Sequence, residues 1–200
     1  MPTLPTRIQE RLRKTYGLEE APLVDDFITP TDGPAREALL VRDTDDGIEL
    51  ALHLPRRALE DGAAVSLDEL CQVVEGVSHF VFVVERARRE LPATCLELEL
   101  QAEVDKYVLL AHGGVPESRG YEPERSAKIQ KMLFERVRFS HPEGTEHGDR
   151  YRIANNLAAR FVRRLEERFA AAGRFEAMRL LLRRFYAAGQ AEKLELAQAA

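Results

Sequence analysis

The chain has 200 residues, 44% of them hydrophobic and 32% charged, which is the balance of an ordinary soluble globular protein with enough length for a sizeable core. Apolar runs such as Phe80 to Val84 are far too short to span a bilayer, and two cysteines, Cys71 and Cys95, do not make a disulfide scaffold. The start, MPTLPTRIQERLRK, has no apolar core of a secretory signal, so the expectation is a reduced, cytoplasmic protein. The net charge of −5 is unevenly spread: residues 149–200 hold 11 Lys+Arg against 6 Asp+Glu, while residues 1–148 hold 18 against 28.

Leu4, Ile8, Leu12 and Tyr16 recur at helical spacing before Gly17, predicting a helix over about 5–16. Residues 18–37 are rich in Pro, Asp, Thr and Gly around one apolar knot, LVDDFI, which reads as a short strand, followed by a loop, TPTDGP. Two β-type runs, Ala38–Arg42 and Ile48–Leu54, flank the turn residues Asp45, Asp46 and Gly47 and predict a hairpin. Ile48, Leu50, Leu52 and Leu54 line one of its faces.

Helices dominate from there on. Ser66 and Glu69 have the spacing of a capping box, opening a helix to about Glu90 whose middle, VSHFVFVVE, is apolar nearly all round. The stretch LELELQAEVDKY, Leu96–Tyr107, alternates apolar and polar residues like a strand with a rank of acids. Its flanks overrule that pattern. Thr94 and Glu97 form a second capping box, and Gly113-Gly114 supply a stop, so the expectation is one helix over 95–112. Residues 115–121 read as a loop, and Pro123 opens a helix over about 123–136. Asp149 is expected to cap a long helix to about Ala172 with Tyr151, Ala154, Leu157, Ala158, Phe161, Leu165 and Phe169 as its apolar stripe. Phe175 to Tyr186 mark a further helix, and the tail is weakly helical.

The resulting fold class is α+β, helix-dominated: a small antiparallel β-hairpin or sheet near the N-terminus packed on a bundle of about five or six helices. A single domain is expected, with a β-containing part over about 20–60, a helical part over about 66–190 and a frayed tail over 190–200.

Helices 67–90 and 95–112 are joined by a short connection and are expected to lie antiparallel. That arrangement gathers Glu75, His79, Glu99 and Glu103 as a candidate metal site, with His79 and Glu103 as candidate catalytic acid–base residues. Carboxylate-bridged bundles use a Glu-x-x-His spacing, whereas Glu75 and His79 are four apart. Satisfied burial of His79 is the favoured reading, because charged groups on an apolar helix pair with one another whatever their function. The sequence has no Walker A, dinucleotide, His-Glu-x-x-His or Cys-x-x-Cys motif, so no cofactor is expected.

The arginines are the second candidate. Arg160, Arg163, Arg164 and Arg168 recur along one helix, and Arg179 and Arg183 follow on the next. Guanidinium groups recognise carboxylates and phosphates bidentately. These six are therefore candidate partner-binding residues, with a protein partner favoured over nucleic acid, because no helix-turn-helix or aromatic RNA platform accompanies them. No membrane partner is expected, and a homodimer is open. The expected function is that of a cytoplasmic interaction or regulatory protein without catalysis of its own. The alternative is a metal-dependent or acid–base hydrolytic enzyme with its site between helices 67–90 and 95–112.

Overall fold

The computed structural model describes residues 2–19, 21–33, 36–45, 47–60, 64–118, 120–137 and 139–199, the side chain of Glu117 excepted. Pro34, Asp46, Arg119 and Ala200, which belong to the expected loops, turn and tail, lie outside the described residues. The fold is α+β and helix-dominated, with a small three-stranded sheet near the N-terminus. The chain divides into two compact units, Met1–Arg13 with Leu18–Ala93, and Lys14–Gly17 with Thr94–Ala200.

The first unit opens with most of α1, Leu4–Tyr16. Ile8 and Leu12 are buried on its inner face. Gln9 clamps the chain that follows: its amide donates to the Pro22 carbonyl at 2.7 Å and its oxygen accepts from Val24 N–H at 3.0 Å. Asp25 accepts from the Thr3 and Thr6 hydroxyls at 2.8 and 2.9 Å. These side-chain bonds hold Val24–Phe27 as a 3₁₀ turn. The expected strand in LVDDFI is therefore displaced downstream, to β1 at Ile28–Thr31, part of the segment expected to be a loop.

β2, Ala38–Thr44, and β3, Gly47–Pro55, form the expected antiparallel hairpin. β1 joins the far side of β3 in parallel, from Ile28 beside Leu52 to Thr31 beside Pro55, so the sheet is mixed rather than antiparallel, in the order β1-β3-β2. Pro30 is tolerated because β1 is an edge strand, where a missing N–H need break no ladder.

After a single turn, α2 at Arg56–Leu59, comes α3, Leu67–Arg88, with the Ser66–Glu69 capping box formed. α3 carries Gly76 directly against the sheet. A Cβ there would lie 2.9 Å from both Leu52 Cδ1 and Leu54 Cδ2, whose side chains are fully buried. Phe80 of α3 meets Phe27 at a ring-centroid distance of 5.0 Å.

The second unit is helical. α4 is Cys95–His112, with the Thr94–Glu97 box at its start and Gly113 in the left-handed conformation at its end. The Gly114 N–H returns to the Val108 carbonyl, closing the helix as the glycine pair implied. α5, Pro123–Gln130, runs into a π-helical turn at Lys131–Glu135. α6, Glu146–Arg168, starts three residues before the expected cap: Thr145 accepts from Gly148 N–H, and Asp149 instead accepts from Gly144 N–H. α7 is Phe175–Ala187. The tail forms a further helix, α8 at Gln190–Gln198, with Lys193 and Ala197 buried. Phe161 of α6 stacks on Phe185 of α7 at 4.1 Å, and Tyr16 stacks on Tyr186 at 4.3 Å.

Candidate functional site

α4 concentrates the polar chemistry of the second unit. Buried apolar residues cannot account for it alone, because Gln101, Glu103, Asp105, Lys106 and His112 are all at most 9% exposed. A helix placed among neighbours on most of its circumference must pair each such group. It does so in three networks.

The first lies toward α8. Gln101 and Asp105, one turn apart, are bonded at 2.9 Å, and the Gln101 amide also donates to the Tyr16 hydroxyl at 3.1 Å. That hydroxyl in turn donates to Asp105. Lys193 of α8, fully buried, donates to Gln101 Oε1 at 2.8 Å and sits 4.8 Å from the Phe185 ring centroid. Burial, with the Asp105 carboxylate beside it, pushes the Tyr16 hydroxyl well above the usual tyrosine range.

The second lies toward α6. Lys106 donates to Glu103 at 2.6 Å, and the Asn155 amide bridges the other Glu103 oxygen at 3.1 Å and the Leu133 carbonyl at 3.0 Å. Leu133 belongs to the π-helical turn, whose wider winding leaves carbonyls off the regular helical ladder.

The third closes the C-terminal end of α4. His112 has a fully buried side chain; its Nε2 lies 3.0 Å from the Tyr107 hydroxyl and its Nδ1 3.3 Å from the Ser118 hydroxyl. Tyr107 and Tyr121 both donate to the carboxylate of Glu166 on α6, and Ser126 of α5 lies 2.9 Å from the Tyr107 oxygen. The His112 ring stacks on Tyr121. Burial pushes the Glu166 carboxyl up, but hydrogen bonds involving His112, Tyr107, Tyr121 and Ser126 outweigh it, and Glu166 is held down at about 2. Burial and the facing carboxylate push Tyr121 up to about 12 and Tyr107 well above its ordinary value. At neutral pH the cluster is an ionised carboxylate held by two neutral phenols. It anchors α4, α5 and α6 to one another.

The residues expected from the sequence fall as follows. Glu75 and His79 lie one turn apart on α3 of the first unit, and Glu75 is 4% exposed. Glu99 and Glu103 lie one turn apart on α4 of the second unit, so neither unit by itself holds all four. Glu103, the candidate acid–base residue, is engaged by Lys106 and Asn155.

The arginine stripe divides by role. Arg164 is buried; its guanidinium donates to the carbonyls of Leu196 and Ala199 and so tethers the end of α8. Desolvation, with Arg168 nearby, lowers its pKa. Arg183 donates to the Thr15 carbonyl at 3.0 Å, and Arg184 pairs with Glu192 at 2.8 Å. Arg179 is half-buried, whereas Arg160, Arg163 and Arg168 are exposed on α6.

Sequence reasoning did not single out Tyr16, Asp105, His112, Glu166 or Lys193 as a connected set. One signal was legible: Gln101 and Asp105 stand at i, i+4 on one helix, a spacing that favours a bonded pair. No protein-family model matches the chain, and no curated protein or solved structure is significantly similar to it.

Proposed function

We propose that this chain is a cytoplasmic interaction protein without catalysis of its own, which engages an acidic protein partner through the exposed arginines of α6. One observation carries the reading. Arg160 and Arg163 are exposed, one turn apart, and have no carboxylate partner among the described residues, whereas Arg164, Arg183 and Arg184 are spent on contacts within the fold. Arg168 extends the same helix surface by another turn. Guanidinium groups at this spacing suit carboxylates presented on a partner. Neither Cys71 nor Cys95 is in a disulfide, which accords with a reducing compartment, and no helix of the described residues is long and apolar enough to cross a membrane.

The test uses the full chain on immobilised polyglutamate at low salt, with heparin and RNA homopolymer as competitors. Retention that falls with salt and is lost in Arg160→Glu with Arg163→Glu is the expected result. Passage straight through would refute the reading, and retention displaced by RNA but not by acidic polypeptide would move the partner to nucleic acid. Arg164 is unsuitable for this test, because its replacement also releases α8.

A further inference from the structure

On the acidic-partner reading above, on which this step rests, we propose that the end of α8 is a stand-in for the partner. It occupies Arg164, the middle guanidinium of a row on α6, and an acidic segment that binds the row displaces it. Arg160, Arg164 and Arg168 stand at i, i+4 and i+8 on α6, so they follow one another along one edge of the helix at a rise of about 6 Å each. The outer two are exposed, whereas Arg164 is 9% exposed.

The C-terminal end of α8 meets that middle position. Arg164 Nη1 donates to the Ala199 carbonyl at 2.8 Å, and Nη2 donates to the Leu196 carbonyl. A helix leaves its last carbonyls without intrahelical donors, and its C-terminus carries partial negative charge. α8 thus offers the row a neutral imitation of a carboxylate. The fit is incomplete on the arginine side. Arg164 Nε is buried without an acceptor, and no carboxylate pairs with Arg164 among the described residues. A buried donor left unsatisfied and a buried charge left without a counter-charge both cost free energy. Nε and Nη2 form one fork of the guanidinium, the geometry that takes a carboxylate bidentately. A carboxylate there satisfies Nε, keeps Nη2 bonded and supplies the counter-charge, none of which the Leu196 carbonyl does alone.

α8 is also lightly seated. Of its nine residues only Lys193 and Ala197 are buried, with Leu194 and Leu196 half-buried. Ala197 is a small apolar anchor beside a leucine or phenylalanine. Lys193 donates to Gln101 at 2.8 Å, and the Arg184–Glu192 pair at 2.8 Å is exposed and adds little. An extended acidic segment repeats its same-side carboxylates at about 6.6 Å, close to the rise between successive arginines. One such segment therefore meets Arg160, Arg164 and Arg168 together once the end of α8 has lifted, and Arg163 lies on the same exposed flank as Arg160.

The experiment is amide hydrogen exchange of the full chain, read by mass spectrometry at low salt with and without polyglutamate. Binding is expected to raise exchange in residues 190–198 while α6 stays protected, the reverse of the protection that a ligand ordinarily confers. A second arm uses Ala197→Trp, which unseats α8 without changing charge. Its affinity for polyglutamate is expected to rise about tenfold, as for a site that α8 leaves open in roughly one molecule in ten. Adding Arg164→Gln removes that gain. The exchange arm uses the wild-type chain and decides the matter if Ala197→Trp fails to fold. Retention on polyglutamate that depends on Arg160 and Arg163, with exchange in residues 190–198 unchanged or lowered, overturns this proposal and leaves the acidic-partner reading standing. So does equal affinity of a folded Ala197→Trp and the wild type. No binding of polyglutamate by either protein overturns the acidic-partner reading and this proposal with it.

Discussion

Glu166→Gln is the sharpest perturbation of the α4–α5–α6 anchor. The wild-type carboxylate accepts from Tyr107 and Tyr121 with His112 alongside, and it is held at about 2 against an ordinary 4.5. At about 1.4 kcal/mol per pH unit, that depression corresponds to roughly 3 kcal/mol of stability for a fully shielded group. Glu166 is not fully shielded: its side chain keeps 17% exposure. Solvent screening therefore reduces the contribution to about 1–2 kcal/mol. The sign follows from the direction of the shift. The stabilisation is complete above 4.5, where the unfolded carboxylate is ionised, and it is lost as pH falls toward about 2. Urea unfolding followed by circular dichroism, run at neutral pH and at steps through this window, measures it. Glu166→Gln should be less stable than wild type by about 1–2 kcal/mol at neutral pH. The gap should close progressively below pH 4.5. Equal stability at neutral pH, with the two proteins losing stability in parallel as acid is added, would refute the assignment of these donors to Glu166.

Four further outcomes follow from the same geometry. In an alkaline titration read by tyrosinate absorbance, one tyrosine should ionise at about 12, and in Glu166→Gln it should fall part of the way toward 10, because burial persists after the charge is gone. Tyr16→Phe strips a bond from both Asp105 and Gln101 in a buried network, and a loss of about 1–3 kcal/mol in urea unfolding is expected; a change within error would show the network slack. Gly76→Ala should destabilise despite a gain in helix propensity of about 1 kcal/mol, because the new Cβ meets two fully buried leucine methyls at 2.9 Å; a stabilised variant would mean the sheet can withdraw from α3 at little cost. Arg164→Ala should raise amide exchange selectively in residues 190–198, with α6 itself still protected.

The stretch LELELQAEVDKY shows what local chemistry decides. Its alternation favoured a strand, yet Thr94, Glu97 and Gly113 specify a helix, and the structure has one over Cys95–His112. Those signals act over three to six residues, through side-chain bonds to the first free amides and a left-handed closing residue. The hairpin of β2 and β3, the Ser66 box and the α5 start at Pro123 were legible for the same reason. Where two local signals competed, the local reading erred: Thr145 rather than Asp149 caps α6, and Gln9 and Asp25 fix a turn where apolar residues implied a strand.

The destinations of the polar side chains are a different matter. Tyr16 and Asp105 are 89 residues apart, Gln101 and Lys193 are 92 apart, and Tyr107 and Glu166 are 59 apart. Nothing within a few residues of any of them names its partner. Each pairing exists because packing has taken a polar group out of water, and an unpaired group there would cost more than the bond it forms. The same holds for Arg164, which is indistinguishable in sequence from Arg163 yet is buried against the end of α8, while Arg163 remains exposed. Most helices, the capping boxes of α3 and α4 and the turn between β2 and β3 were thus legible in the sequence itself. Which acids are held ionised and which arginines are buried were decided only by the tertiary structure, since burial is a property of the packed chain.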